Sequence, residues 1–458
     1  MAAWPAAAAA YDARRMEPRI DPDPLEPTRR RGARPVGLGL VLLVLGGTLI
    51  LGAAAKAPCI ASGTWTDGRQ YRLLCYTDVV PLLGTEQLAG GRLPFLEPCV
   101  ATESNCDEYP VLTMYTMRMA GWVSDTDFRT YFAANAALLW LCAGAIAISL
   151  YAVVGARALY FALSPTLLVY GLVNWDLLAV AFATAAVPAF ILRRDVLTGI
   201  LLGLGASAKF YPAMLVVPFI AQRLQDREPD RAIRLGWATA GTWLAANLPF
   251  FIASPNAWLT FFRFNSQRCA DFDSLWSIGS RAWNYFLRHE AAGSCPDTSV
   301  VNVASAAAFV GLFALVWFAK ARRWPAFPRW TLAFPLLVLF LLTNKVYSPQ
   351  YGLWLVPLFA LLLPELRAFV AFSVADVAVF VTRFWWFGHL EGRSLPAPIA
   401  SLLRPIDDTD PSVQRWMFEL AVVIRAAVLI WCVLAWIRRE PEVLAVEVPT
   451  AVMAEAPA

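Results

Sequence analysis

The stretch VGLGLVLLVLGGTLILGAAA, residues Val36–Ala55, contains twenty residues and no charged side chain. A helix of about twenty apolar residues is long enough to cross the hydrocarbon core of a bilayer, which is roughly 30 Å thick. A cleaved signal peptide would have a shorter apolar run, with its basic flank close to the start of the chain. The stretch therefore predicts a retained first transmembrane helix.

The rest of the chain has the same apolar character. Of the 458 residues, 59% are hydrophobic and 16% are charged, and the mean hydropathy is +0.54. Soluble domains are roughly 45–50% apolar and about 25% charged, so the composition excludes a soluble globular protein. The net charge of +4 and the absence of zinc-type Cys and His spacing give no reason to expect nucleic acid as a partner or a structural metal site.

Apolar runs recur along the chain as far as Ile437, and they predict an all-α polytopic membrane protein with about twelve transmembrane helices. The predicted spans are Val36–Ala55, Thr130–Val154, Ala158–Val173, Trp175–Leu192, Leu197–Ser207, Tyr211–Ala221, Ile233–Ile252, Val300–Phe318, Trp330–Thr343, Gln350–Leu363, Ala368–Phe387 and Gln414–Ile437.

Two of these spans, Leu197–Ser207 and Tyr211–Ala221, are too short to cross a bilayer alone. Either two tilted half-length helices meet at a buried site near Lys209, or one broken span reaches the same place. The basic segment after Ala221 favours two separate spans, because one broken span would reverse the orientation of everything that follows.

Lys and Arg residues between the spans fall mostly on one side, together with the basic N-terminal segment, and the positive-inside bias assigns that side to the cytoplasm. We predict a disordered cytoplasmic tail over 1–35, a transmembrane domain over 36–437 and a second cytoplasmic tail over 438–458. Two long segments, the first long loop (56–129) and the second long loop (253–299), then lie on the extracytoplasmic face.

Six of the eight cysteines lie in the two long loops. An extracytoplasmic compartment is oxidising, and disulfide bonds form there. Six cysteines allow 15 pairings, and local closure is the simplest: Cys59–Cys75, Cys99–Cys106 and Cys269–Cys295. The alternative is that these cysteines are small unpaired residues.

The first long loop contains two acids beside apolar and Pro-containing segments: Asp78 in CYTDVVP (75–81) and Glu108 in DEYPVL (107–112). A carboxylate near the membrane interface is partly desolvated, which raises its proton affinity and suits it to act as a general base. The alternative is an ordinary solvated loop acid in each case.

Lysine is rare, and the four lysines are Lys56, Lys209, Lys320 and Lys345. Lys209 and Lys345 occupy membrane-edge turns on the predicted outer side, against the positive-inside bias. Contact with an anionic phosphate would explain both positions. The alternative is that each side chain reaches along the helix to lipid headgroups.

Several other polar residues lie inside or next to predicted spans. Asp176 opens a span, where it could cap the helix N-terminus. Asp376 and Arg383 are seven residues apart on one face of the same span, and Arg425 lies in the last span. A charge in a membrane helix needs a partner or a polar cavity, so Asp376 and Arg383 could pair with each other through an intermediate group or serve a cavity. The alternative is that all three residues join helices of the bundle.

The segment Asn256–Phe264 is predicted to be an amphipathic helix in the outer leaflet that roofs a cavity or anchors the second long loop. His289 and His389 are the only histidines and are expected to be surface residues.

An ordered set of motifs carries a family resemblance from about Val36 to Pro357. The motifs are Tyr76-Thr77-Asp78, Glu108-Tyr109-Pro110, Asn174-Trp175-Asp176, Lys209-Phe210-Tyr211-Pro212, Ser274-Leu275-Trp276 and Asn344-Lys345-Val346-Tyr347-Ser348-Pro349-Gln350-Tyr351. The set resembles the polytopic glycosyltransferases of the C superfamily that use lipid-linked sugars. Within that superfamily it is similar to family 87, which includes the polyprenyl-phosphate-mannose-dependent α-mannosyltransferases.

The resemblance implies an inverting transfer of a hexose, expected to be mannose, from a polyprenyl-phosphate sugar to an acceptor hydroxyl outside the bacterial plasma membrane. Arabinofuranose is the alternative sugar. The expected partners are membrane lipids, the lipid-linked donor and a glycolipid or glycan acceptor, and no metal or other cofactor is expected.

The same resemblance implies roles for individual residues. Asp78 matches the position of the general base. Lys209 and Lys345 are expected to contact the phosphate of the donor. The other expected substrate-binding residues are Glu108, Tyr109, Asn174, Asp176, Tyr211, Tyr347 and Gln350.

Two other function classes have a similar composition. A transporter or lipid flippase would have comparable spans, but its two halves should carry broken helices at corresponding positions, and the sequence shows no such repeat. A non-enzymatic scaffold of the cell envelope predicts that Asp78→Asn has no effect.

Overall fold

The structure, a computed structural model, describes residues 36–61, 67–100, 106–285, 295, 297–391, 411–442 and 444. The predicted tail 1–35, His289 and most of the predicted tail 438–458 lie outside the described residues. All regular secondary structure in the described part of the chain is helical, which confirms the prediction of an all-α protein.

The α-helices, labelled in chain order, are α1 (Leu38–Ala61), α2 (Arg69–Arg72), α3 (Val79–Thr85), α4 (Val111–Ser124), α5 (Phe128–Val154), α6 (Leu159–Ala162), α7 (Pro165–Tyr170), α8 (Asp176–Ile191), α9 (Asp195–Ala208), α10 (Tyr211–Met214), α11 (Val216–Gln225), α12 (Pro229–Ala253), α13 (Pro255–Trp258), α14 (Thr260–Gln267), α15 (Leu275–Trp283), α16 (Thr298–Arg323), α17 (Ala333–Thr343), α18 (Val356–Leu362), α19 (Leu366–Leu390) and α20 (Pro411–Arg438). Four 3-10 helices are described: Ala89–Gly91, Gly155–Ala158, Arg329–Leu332 and Pro349–Trp354.

Five of the described helices are long and apolar enough to cross a membrane. They are Leu38–Ala61, the consecutive helical segments of Phe128–Ala162, Thr298–Arg323, Leu366–Leu390 and Ser412–Arg438. Shorter apolar helices cover Asp176–Ile191, Asp195–Ala208, Arg329–Thr343 and Pro349–Leu362. The protein is therefore a membrane protein by the length and composition of its helices, and the count of about twelve spans stays a prediction.

The short apolar helices form the centre of the fold. Helices α8, α17 and α18 are buried over most of their length, whereas α1, α12 and α16 leave many apolar side chains exposed. A helix that is hydrophobic all round is buried by its neighbours, and exposed apolar faces on long helices suit contact with lipid. The site described below lies at one end of this centre.

Helix α9 approaches α12 closely because two glycines face it. A Cβ atom on Gly199 would lie 2.5 Å from the carbonyl oxygen of Leu235, and one on Gly203 would lie 2.7 Å from that of Thr239. Small residues four apart allow membrane helices to pack backbone against backbone. This contact brings the C-terminal end of α9, which precedes Lys209, against the rest of the bundle.

The predicted span Ala158–Val173 is broken, which corrects the sequence-based prediction. Its middle contains Ser164 and Pro165, where α6 has ended and α7 begins. The Ser164 side chain accepts a hydrogen bond from the first turn of α7, and Pro165 occupies the first helical position, where its missing N–H is not needed.

The predicted span Tyr211–Ala221 is also broken, into α10 and α11. Pro218 has no N–H to donate to the carbonyl group of Met214, four residues earlier, so the helix cannot continue regularly through this point. The predicted single helix Asn256–Phe264 is likewise two short helices, α13 and α14, which meet at Leu259.

All three predicted disulfide bonds are confirmed. The structure joins Cys59 to Cys75, Cys99 to Cys106 and Cys269 to Cys295. The free cysteines of the described residues, Cys142 and Cys432, lie in α5 and α20, inside the spans predicted for them.

Candidate active site

The backbone before α3 is tied to the turn that precedes α8. The Asp78 amide donates to the carbonyl oxygen of Val173 over 2.7 Å, and the buried Thr77 hydroxyl donates to that of Leu172 over 2.6 Å. These long-range bonds fix the position of Asp78 relative to the centre of the fold.

The Asp78 carboxylate has a defined set of hydrogen-bond donors. The Tyr76 hydroxyl donates to Oδ1 over 2.7 Å, and the Asn174 amide donates to Oδ2 over 2.8 Å. Burial raises the pKa of the Asp78 carboxyl, although the bonds from Asn174 and Tyr76 oppose the rise. A carboxylate whose pKa is raised by desolvation binds a proton more readily and is a better general base.

A second layer of contacts fixes which way the Asn174 amide points. Its oxygen accepts from the Trp175 backbone N–H over 2.7 Å, so its NH₂ group faces Asp78 and the Tyr109 hydroxyl, which lies 2.8 Å away. The Trp175 indole in turn donates to the side chain of the buried Asn135 over 2.7 Å. The donor to Asp78 is therefore held in place before any ligand binds.

Asp78 faces a cavity of about 550 Å³, within the range of roughly 300–1,000 Å³ that is usual for ligand sites. Its polar and charged lining comprises Tyr76, Asp78, Glu108, Tyr109, Tyr170, Asn174, Lys209, Tyr211, Asn265, Arg268, Asp271, Asn344, Ser348, Gln350, Tyr351 and Arg383. Aromatic residues of α14, Phe261, Phe262 and Phe264, line the same cavity. The segment predicted to roof a cavity or anchor the loop thus contributes to its wall.

Six of the substrate-binding residues predicted from the sequence line this cavity together with Asp78: Glu108, Tyr109, Asn174, Lys209, Tyr211 and Gln350. They come from the first long loop, from the turns before α8 and α10, from the first residue of α10, and from the 3-10 helix after the Asn344–Ser348 loop. The tertiary structure therefore brings together segments that are up to 272 residues apart in sequence, as between Asp78 and Gln350.

Asp176 does not line the cavity but lies directly behind it. Its Oδ2 is 3.0 Å from the Lys209 ammonium, and its Oδ1 accepts from the Trp354 indole over 2.6 Å. Asp176 is the first residue of α8, Trp175 holds the cap position, and no side-chain capping bond forms. The capping interpretation of Asp176 is wrong, because its carboxylate is used to hold Lys209 and Trp354.

Lys345 and Tyr347 also lie outside the lining. The Lys345 ammonium donates to the carbonyl oxygen of Ser266 over 2.9 Å, and its own carbonyl accepts from the Asp271 amide over 2.8 Å. Tyr347 is buried, with the Arg425 guanidinium 3.7 Å from the centre of its ring. Both residues hold the loop that leads to Gln350 and do not face the cavity.

The structure decides between the interpretations of the charges inside membrane helices. Asp376 and Arg383 do not pair with each other: Asp376 lies 3.2 Å from Arg425, and Arg383 contacts Asp273 of the second long loop. Arg383 lines the cavity, whereas Asp376 and Arg425 are fully buried and join α19 to α20.

Arg268 is a cavity residue that the sequence reasoning missed. The signal available was its position next to Cys269, whose disulfide bond restrains the neighbouring backbone. Glu108 lies close enough for the charge of Arg268 to lower its pKa, although burial dominates and the pKa of Glu108 is raised overall. The cavity therefore contains three cationic side chains, Lys209, Arg268 and Arg383, among its described lining residues.

An aromatic stack forms one wall. Tyr211 stacks on Trp354 with ring centres 4.2 Å apart, and Trp354 stacks on Tyr351 at 4.1 Å. The Lys209 ammonium lies 5.1 Å from the centre of the Tyr351 ring, within the range of a cation–π contact. The wall thus offers a rigid apolar face beside a cation.

Comparison with known proteins gives one family and a distant structural likeness. The family model described as glycosyltransferase family 87 matches residues 109–343, which include Tyr109, Asn174 and Lys209. ArnT from Cupriavidus metallidurans, in a crystal structure bound to undecaprenyl phosphate, is 15% identical, with 87% of this chain and 78% of that chain covered and a TM-score of 0.42. No curated protein matches the chain significantly.

Proposed function

Because this chain belongs to glycosyltransferase family 87, we propose that it transfers a hexose, mannose in the first instance, from a polyprenyl-phosphate sugar to an acceptor hydroxyl. The reaction takes place at the extracytoplasmic face of a bacterial plasma membrane. The acceptor is a glycolipid or glycan. The observation that carries the proposal is the Asp78 carboxylate, desolvated and held by Asn174 and Tyr76, at the wall of a cavity that also contains cations.

The reaction assigns one proton transfer to Asp78. Its carboxylate accepts the proton of the acceptor hydroxyl while the acceptor oxygen forms a bond to the anomeric carbon of the donor. The bond from that carbon to the phosphate oxygen breaks, and its electron pair leaves with polyprenyl phosphate. Attack from the face opposite the phosphate inverts the anomeric configuration.

The leaving group explains why a single carboxylate is sufficient. A phosphate leaves without needing a proton, but its negative charge must be stabilised as the bond breaks. Guanidinium and ammonium groups supply that stabilisation, and guanidinium groups bind phosphate oxygens in a bidentate manner. Arg268, Arg383 and Lys209 provide such groups in the cavity, and no further cofactor is required by this scheme.

The aromatic stack supports a sugar ligand. A sugar ring has one face of C–H groups and a rim of hydroxyl groups, so it suits a site that combines an aromatic face with hydrogen-bonding side chains. Tyr351 and Trp354 supply stacked aromatic rings to the cavity, and Gln350 and Asn174 supply amide groups. The shape of this site, and not a sequence motif, selects between a hexose such as mannose and arabinofuranose.

The test is a transfer assay with the full chain in lipid nanodiscs, radiolabelled polyprenyl-phosphate mannose and an extract of envelope lipids. Wild type should transfer label to a new lipid or glycan, and Asp78→Asn should reduce turnover by about 10²–10⁴-fold, the usual contribution of a general base. Asp67→Asn is the matched control, because Asp67 is an acid of the same loop that pairs with Arg69 at the surface.

The outcomes separate the parts of the proposal. Transfer from polyprenyl-phosphate arabinose alone would show that arabinofuranose is the transferred sugar, and the proposed mechanism would still hold. Equal transfer by wild type and Asp78→Asn would remove Asp78 as the base and make Glu108 the next acid to test. Failure with both donors would overturn the donor class.

A further inference from the structure

One carboxylate in the cavity bridges two arginines. Asp271 Oδ2 lies 3.4 Å from a terminal nitrogen of Arg268, and Asp271 Oδ1 lies 3.6 Å from a terminal nitrogen of Arg383. Charge-assisted hydrogen bonds between such groups are usually about 2.7–2.9 Å long. Asp271 therefore neutralises both guanidinium groups without binding either of them tightly.

Arg383 has other contacts that hold it in place. Its guanidinium forms a close ion pair with Asp273, which is almost completely buried, and lies 4.9 Å from the centre of the Phe387 ring. Burial raises the pKa of Asp273 to about 6, although the Arg383 charge opposes the rise. Arg383 therefore keeps a fixed partner when Asp271 turns away.

Arg268 is held independently as well. Its guanidinium lies 5.4 Å from the centre of the Phe264 ring, and the neighbouring Cys269 is bonded to Cys295. Its side chain is 29% exposed, compared with 14% for Arg383. Both arginines thus stay in the cavity wall by contacts that do not involve Asp271.

A count of charges distinguishes this pair from Lys209. The Lys209 ammonium is compensated by Asp176, which is fully buried and lies outside the cavity lining. Arg268 and Arg383 together with Asp273 carry one net positive charge unless Asp271 is in place. Of the two carboxylates that form ion pairs with these guanidinium groups, Asp271 lines the cavity and Asp273 does not.

We propose that Arg268 and Arg383 form the binding site for the phosphate group of the lipid-linked donor, and that Asp271 occupies this site as an internal counter-ion until the phosphate displaces it. The inference rests on the proposed function and names the contacts that recognise its donor. A carboxylate and a phosphate offer similar anionic oxygens to a guanidinium group, and the phosphate offers more of them.

The site lies next to the wall that holds the base. Phe384 follows Arg383 in α19, and its ring stacks on that of Tyr76 with centres 4.6 Å apart. Tyr76 donates to Asp78, and the Arg383 charge partly offsets the rise that Asp78 causes in the pKa of the Tyr76 phenol. A phosphate between the two arginines would therefore place the attached sugar in the cavity that Asp78 also lines.

The test measures equilibrium binding of undecaprenyl phosphate, without a sugar, to the full chain in nanodiscs. Undecaprenol of equal chain length reports the contribution of the lipid tail alone. We expect Arg268→Gln and Arg383→Gln to weaken phosphate-dependent binding about tenfold or more, and Asp271→Asn to strengthen it severalfold, because the competing charge is gone. The matched control is Arg263→Gln, which removes an exposed cation of the same loop outside the cavity lining.

Arg383→Gln leaves Asp273 buried without a partner, so the double variant Arg383→Gln/Asp273→Asn is measured beside it and should show the same loss. Unchanged binding in the arginine variants, or weaker binding in Asp271→Asn, would overturn the inference while leaving the proposed function in place. Wild type that binds the phosphate no better than the alcohol would overturn the proposed donor class and the inference together.

Discussion

Lys56 donates a hydrogen bond from its ammonium group to the backbone carbonyl oxygen of Tyr76 over 2.7 Å. The ammonium lies in α1, is almost completely buried, and also donates to the carbonyl oxygen of Val169 over 3.3 Å. Three residues further on, Cys59 is bonded to Cys75. The end of α1 therefore holds the segment that carries Asp78 by one hydrogen bond and one covalent bond.

We expect Lys56→Met to lower kcat about ten- to a hundredfold with a smaller effect on KM, because a small displacement of a reacting group is costly. The measurement is steady-state transfer with the variant in nanodiscs. Lys320→Met is the matched control: Lys320 is a buried lysine in α16 that donates to the Trp436 carbonyl oxygen over 2.7 Å, outside the cavity lining. An equal loss of kcat in both variants would contradict a positioning role for Lys56.

The bond from Tyr76 to Asp78 predicts a pH effect. Asp78 acts in its ionised form, so the rate rises with pH through its pKa, which burial holds above the ordinary value and the Tyr76 hydroxyl lowers. Tyr76→Phe removes that donor but keeps the ring that stacks on Phe384, so the pKa rises further and the acid limb of kcat/KM moves to higher pH.

The control for this experiment is Tyr71→Phe. The Tyr71 ring also stacks against Tyr76, with centres 5.9 Å apart, but the Tyr76 hydroxyl is the one that bonds to Asp78. Tyr71→Phe should leave the acid limb where it is. A limb that stays in place or moves to lower pH in Tyr76→Phe would show that the bond does not stabilise the catalytic carboxylate.

The disulfide bonds should differ in their effect on activity. We expect Cys59→Ala/Cys75→Ala to lose more kcat than Cys99→Ala/Cys106→Ala, because Cys75 is three residues from Asp78. Each bond is expected to contribute about 2–4 kcal/mol to stability, so thermal unfolding is measured in parallel. If kcat falls in both variants only in proportion to their loss of thermal stability, a specific role for Cys59–Cys75 is contradicted.

The buried pair of Asp376 and Arg425 predicts a partial rescue. Asp376 also accepts from the Thr166 hydroxyl over 3.1 Å, and its backbone carbonyl accepts from Tyr170 over 2.9 Å. Arg425→Leu leaves the carboxylate buried without its cation and should cost about 3–5 kcal/mol. Arg425→Leu/Asp376→Asn should be less destabilised than the single variant in thermal unfolding. A double variant that is less stable than the single one would show that the cost does not come from the unpaired charge.

Local features of the sequence predicted much of this protein correctly. The apolar runs give the long helices because about twenty apolar residues suffice to span a bilayer irrespective of the rest of the chain. The disulfide pairing follows because the loop-closure entropy cost is smallest for short loops. Helix breaks are local too, but Pro165 and Pro218 divide spans that hydropathy alone treats as continuous.

The partners of the charged side chains could not be predicted in the same way. Asp376 and Arg383 share a helix face, yet each binds a residue from another segment, Arg425 and Asp273 respectively. The position of Lys345 at a membrane edge predicted a phosphate contact, but its ammonium donates to the Ser266 carbonyl oxygen. Arg268, which was not predicted, lines the cavity. An ion pair depends on which helices pack together, and spacing along one helix does not contain that information.

The sequence by itself therefore determined that this is an all-helical membrane protein, that three local disulfide bonds form within its long loops, and that Asp78, Asn174 and Lys209 are candidates for one site. Only the tertiary structure decided that these residues share a cavity with Arg268 and Arg383. The physical reason is that hydrophobicity and chain connectivity act locally, while the position of a charge in a membrane protein is set by partners that the packing of distant segments brings within a few ångströms.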